Sequence, residues 1–139
     1  MSILINQNLA GVGAGTYTSS PLELQDETAT RLTFQLNFSA ATGGTSVDTY
    51  VQTSVDGGGT WADAIHFAQS TTTAARALAG LSAVSSAAAP TAATDGTQTV
   101  NTINQGVFGP LWRVKYVVVG SYLTGNLRVD SGGVGLETP

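Results

Sequence analysis

The sequence predicts an all-β fold: an antiparallel β-sandwich or jelly roll of about eight short strands. Three stretches carry this. Arg31 to Phe38 alternates strictly, with Leu32, Phe34, Leu36 and Phe38 on one face and Arg31, Thr33, Gln35 and Asn37 on the other. That period of two is the signature of a half-buried strand. Asp56-Gly57-Gly58-Gly59 separates the strand-like run Val47 to Thr53 from the apolar stretch Trp61 to Phe67. Glycine supplies the positive φ of a tight hairpin and aspartate bonds its own backbone two residues on. Leu111 to Val119 places Trp112, Val114, Tyr116 and Val118 on one face, then turns apolar on both. The second half of that run is expected to be buried on both sides.

Taken in order, residues 1–20 read as an extended arm, residues 21–129 as the sandwich and residues 130–139 as a flexible tail. The arm begins with the apolar cluster Ile3-Leu4-Ile5, and its glycines Gly11, Gly13 and Gly15 suit no regular element. The cluster is expected to lie against another subunit, because water does not favour exposing it. Pro21 opens a short strand, Leu22 to Leu24, and Ala41 to Thr45 forms the turn after the strand at 31–38. Residues 68–97 are dominated by alanine, serine and threonine. Interspersed Gly80 and Pro90 argue against a helix, which leaves a strand near Arg76 to Leu81 and a loop near 82–97 that is either mobile or committed to a partner. Val100 to Ile103 is a short strand, Gly120 to Gly125 a turn, and Asn126 to Val129 the last strand.

Composition narrows the function classes. At 139 residues the chain has the length of one domain. Only 10% of its residues are charged, against about 25% in ordinary soluble domains. A surface so poor in charge suits a protein largely covered by partners. The net charge is −4, with one lysine and four arginines. Arg113 and Lys115 share a strand face but make no basic stripe, so nucleic-acid binding is not expected. No cysteine is present, which removes disulfides, thiolate metal sites and cysteine nucleophiles. Met1 to Ile5 lacks the basic and apolar regions of a signal peptide. The most apolar stretch, Val107 to Val119, is interrupted by Gly109, Pro110, Arg113 and Lys115, so no membrane span is expected.

Chemical motifs point away from an enzyme, a metal or a cofactor. His66 is the only histidine, and on a regular strand Asp63 would face the opposite side. Gly11-x-Gly13-x-Gly15 lacks the dinucleotide-binding spacing. Asp56 is followed by glycines and not by the alternating oxygen ligands of a calcium loop. Asn37-Phe38-Ser39 matches a glycosylation sequon but reads as an outward strand residue.

Ser54, Asp56, Gly58, Thr60 and Trp61 fill the positions of the Asp-box pattern S-x-D-x-G-x-T-W. In families that carry it, the box resembles a structural staple whose Asp and Thr tie the turn while the Trp packs beneath. The hairpin Val47 to Trp61, followed by the late strand Trp112 to Val119, resembles the small cement (decoration) proteins of tailed-phage capsids, nearest the jelly-roll type of short-tailed Bordetella-type phages. This resemblance covers about half the chain. It implies a non-enzymatic virion protein, made in the host cytoplasm, that binds the outside of the head. There it would clamp neighbouring major capsid subunits against internal DNA pressure, as a homodimer. The competing readings are a tail or baseplate component and a carbohydrate- or receptor-binding module in which Trp61, Trp112, Tyr50 and Tyr122 stack on sugars.

Overall fold

The structure is a computed structural model and describes residues 1–24, 29–84 and 89–135. Its regular elements are strands: β1 (Ser2–Asn8), β2 (Gly15–Thr18), β3 (Leu22–Glu23), β4 (Ala29–Phe38), β5 (Thr42–Gly43), β6 (Ser46–Ser54), β7 (Ala62–His66), β8 (Ala75–Ser82), β9 (Thr102–Ile103), β10 (Leu111–Val119), β11 (Tyr122–Thr124) and β12 (Asn126–Gly135). Every pairing is antiparallel. One sheet runs β1-β12-β4-β8. The other runs β2-β10-β6-β7-β9, with β3 also paired to β10. The small pair β5 and β11 closes one end. The result is a β-sandwich, as the alternating runs predict.

The chain folds back on itself in a regular way. β1 pairs with β12, β2 with β10, β4 with β8, and β6 with β7. This ribbon then rolls so that β12 also meets β4 and β10 also meets β6. The β10–β6 register runs unbroken from Leu111 opposite Ser54 to Val119 opposite Ser46.

The core lies between the two sheets and comes from the predicted faces. Leu32, Phe34, Leu36 and Phe38 enter from β4, and Trp112, Val114, Tyr116 and Val118 from β10. Phe34 meets Trp112 across the layers at 5.1 Å between ring centroids, and Phe108 closes edge-on against the same indole at 5.1 Å. Phe38 packs edge-on against Tyr122 at 6.2 Å. Offset and edge-to-face contacts of this kind add to the burial of the rings themselves.

Four expectations need correction. Residues 1–20 are not an arm: Ser2–Asn8 is a strand of the sandwich, with Leu4 and Leu9 buried in its core. Gly11, at φ 79°, belongs to the connection that carries the chain from one sheet to the other. Of the Ile3-Leu4-Ile5 cluster, only Ile3 is open to solvent, at 46%; Ile5 packs against the core. The tail does not begin at residue 130, because β12 continues to Gly135 between β1 and β4. Gly132 and Gly133 pair through their backbones with Thr33 and Leu32, a contact that needs no side chain. The expected turn at 120–125 contains strand β11. On β10, Val117 is only half-buried and Val119 is exposed, so the apolar second face of that strand does not mark burial on both sides. Residues 136–139, and residues 85–88 of the expected loop, lie outside the described residues.

Candidate functional site

The predicted Asp box forms at the β6–β7 hairpin. The Ser54 hydroxyl donates to Asp56 Oδ1 at 2.8 Å and accepts from the Gly58 amide at 2.9 Å. The Thr60 amide donates to Asp56 Oδ1 at 2.9 Å and its hydroxyl to Asp56 Oδ2 at 2.7 Å. Gly57 and Gly58 take φ values of 76° and 94°, which L side chains rarely adopt. Donors from Thr60 and then Ser54 hold the Asp56 carboxyl down at about 2, against an ordinary 3.8. The turn is therefore tied as expected, but Trp61 does not pack beneath it in the core. Its indole is half-buried and carries the Arg113 guanidinium 4.4 Å above the ring.

From that stack a polar network crosses the outer face of the β2-β10-β6-β7-β9 sheet. Arg113 Nε donates to Gln52 Oε1 at 2.8 Å, and Gln52 Nε2 donates to Asp63 Oδ1 at 2.8 Å and Asp95 Oδ1 at 2.7 Å. Lys115 Nζ donates to the same Asp95 oxygen at 2.8 Å. Asp63, only 1% exposed, is the centre. Its carboxylate accepts from Thr94 Oγ1 and from the amides of Gly96, Thr97 and Gln98, at 2.8–3.1 Å. A buried carboxylate wrapped by main-chain donors is a lock for the segment that supplies them. The loop through residues 94–98, expected to be mobile or to serve a partner, is thus bound to its own sheet.

His66 completes this side. Its Nδ1 lies 2.9 Å from the Gln98 carbonyl and its Nε2 lies 3.2 Å from Asp48 Oδ1, with the Tyr50 ring stacked at 3.9 Å. The β6–β7 pairing slips between Val51 and Gln52, so Asp63 opposes Gln52 while His66 opposes Tyr50. This irregularity puts Asp63 and His66 on the same outer face, not on opposite ones. The network joins residues far apart in sequence, and no local pattern marks it. Among the described residues no group of three or more His, Asp or Glu side chains is placed to hold a metal ion.

The other sheet differs. The outward side chains of β1-β12-β4-β8 are Ile3 and Asn6, Arg128 and Asp130, Arg31, Thr33, Gln35 and Asn37, and Arg76 and Leu78. Arg128 Nε donates to both oxygens of Asp130, at 3.0 and 2.9 Å, and Arg76 Nε donates to Gln35 Oε1 at 3.0 Å. Leu78 is 61% exposed. At the β8 edge the Gln105 amide accepts from Ser82 N and donates to Gly80 O, each at 2.8 Å, as a neighbouring strand would.

Of the aromatic residues considered for sugar stacking, three are buried and the fourth is half-buried. Trp112, Tyr50 and Tyr122 are buried, and Arg113 lies over Trp61. Comparison of the chain with protein families, curated proteins and solved structures finds no match.

Proposed function

We propose that this protein is a structural component of a phage particle, a cement protein that binds the outside of the head and clamps neighbouring major capsid subunits. The observation that carries this reading is the asymmetry of the sandwich. One outer face is occupied by the molecule's own 94–98 loop. No described residue covers the other, which is bounded by two strands, β1 and β8, that each have one sheet neighbour. A rigid body with one open face suits attachment to a surface, and an array of such contacts acts multivalently. The rolled pairing of β1 to β12, β2 to β10, β4 to β8 and β6 to β7 supports reading the sandwich as a jelly roll. The β1 edge, which has β12 as its one sheet neighbour, also supports self-association as a homodimer.

The test is decoration. Undecorated heads are mixed with the wild-type protein, and with Ile3→Glu or Leu78→Glu variants that change the open face without touching the core. Occupancy and resistance to heat are then measured. The expected outcome is that wild-type protein raises the bursting temperature and the variants bind less. Heads that take up no protein, or take it up with no gain in resistance, overturn the clamp.

A further inference from the structure

We infer that the outer face of the β1-β12-β4-β8 sheet is a docking surface for a protein partner that presents carboxylates; this rests on the attachment reading above. Charge carries the inference. The chain is acidic overall, at −4, yet the described outward side chains of this sheet include Arg31, Arg76 and Arg128 against Asp130 alone. Of the carboxylates among the described residues, Glu23, Asp48, Asp56, Asp63 and Asp95 lie on the other sheet, its hairpin or its covering loop. Three of the four arginines therefore lie on the face that no described residue covers. A potential of one sign on an open face steers an oppositely charged surface into place.

The availability of the guanidiniums identifies the partner further. Arg128 is held by Asp130. Among the described residues Arg31 and Arg76 have no ion-pair partner, and Arg76 gives its Nε to Gln35, which leaves its terminal nitrogens for a carboxylate. Arginine's planar fork matches carboxylate geometry in two parallel bonds. Arg31 and Asn37, the residue opposite Arg76, are six positions apart on β4, a span of roughly 20 Å at strand rise. Between them lie Thr33 and Gln35, with Leu78 on the adjacent β8 and Ile3 on β1 beyond β12. Amides and isolated aliphatic groups between two cations suit a protein surface. A nucleic-acid backbone has no use for the exposed aliphatic Leu78 and Ile3. Two free guanidiniums and scattered aliphatic groups make a weak single contact, which gains strength by repetition on a lattice.

The experiment is a nuclear magnetic resonance titration of the full chain with a short blocked peptide of glutamate and leucine, at low and at high salt. A DNA duplex of matched charge serves as the rival probe. We expect amide shifts centred on Arg31, Thr33, Gln35, Arg76 and Leu78, lost at high salt. They should weaken about tenfold or more in Arg31→Glu/Arg76→Glu, a factor of ten being 1.4 kcal/mol. A Val55→Glu/Leu123→Glu control adds negative charge at exposed sites elsewhere and should leave binding in place. If the reversed pair loses its folded spectrum, Arg31→Gln/Arg76→Gln replaces it. Shifts mapped elsewhere, or unchanged in the arginine variants, overturn the assignment. Tighter binding of the duplex to the same face overturns the protein partner. Undecorated heads separate the two readings. Heads that bind wild type and arginine variant equally refute the face and leave the attachment reading standing. Heads that bind neither, with the peptide map intact, refute attachment and leave the face standing.

Discussion

Asp56 shows how much a single exposed side chain can organise when its acceptors are all used. Three donors, Thr60 N–H, Thr60 O–H and Ser54 O–H, converge on its carboxylate, and its carboxyl falls to about 2 from 3.8. The folded state therefore binds this proton less readily than the unfolded chain. The resulting stability is present above the unfolded value and is lost as the pH falls from about 4 towards 2. We predict that the urea midpoint of the wild-type protein drops more across that window than that of Asp56→Asn, other carboxylates titrating equally in both. Parallel profiles would show that the tie adds nothing to folding. The two tryptophans make a second residue-scale contrast. Trp112 sits buried between Phe34 and Phe108, so Trp112→Ala should cost ~3–5 kcal/mol in denaturant unfolding. Trp61 is half-buried under Arg113, and its loss removes a cation–π contact of ~0.5–1 kcal/mol and part of its packing. Trp61→Ala should therefore cost clearly less than Trp112→Ala, and an equal cost would place the Asp-box indole in the core after all.

Elements were legible where side chains decided them and illegible where the backbone did. The alternation of Leu32, Phe34, Leu36 and Phe38 marks β4, and Trp112 to Val118 marks β10, because each inward residue fills the core. The second half of β12 left no such mark, since Gly132 and Gly133 contribute main-chain hydrogen bonds to a central strand and little else. The Asp63 lock was likewise invisible: a carboxylate that meets the amides of Gly96, Thr97 and Gln98 has no periodic signature. We predict that Asp63→Ala, which leaves those buried donors without an acceptor, frees the segment. Amide hydrogen exchange of Gly96, Thr97 and Gln98 should rise well above that of β10. The β8 edge yields a parallel expectation. Gln105 occupies Gly80 O and Ser82 N and so stops a second chain from pairing there. Gln105→Leu should uncover that part of the edge and increase concentration-dependent association in sedimentation. An unchanged distribution would mean that the edge is not what limits association.

At the scale of the whole sandwich, the longest-range pairing is that of β1 with β12. β1 and β12 pair near the two termini, Ser2 opposite Ser131 and Asn8 opposite Asn126, and β12 then joins β4. An apolar N-terminus followed by glycines has the composition of an arm, and a glycine-rich C-terminus has that of a tail. Each becomes a strand because the other is beside it, a pairing across nearly the full chain that local sequence cannot express. Truncation separates the two descriptions. An arm deleted through residue 9 leaves a folded sandwich. Loss of β1 instead removes Leu4 and Leu9 from the core and turns β12, with its paired glycines, into an unprotected edge. Two buried leucines lost with their cavities cost ~2–5 kcal/mol each, against the ~5–15 kcal/mol that holds an ordinary domain folded. The truncated chain should therefore be unfolded or aggregated at room temperature, with collapsed amide dispersion and no cooperative urea transition. A chain lacking residues 1–9 that keeps a cooperative transition near the wild-type midpoint would show that β1 is dispensable to the sandwich.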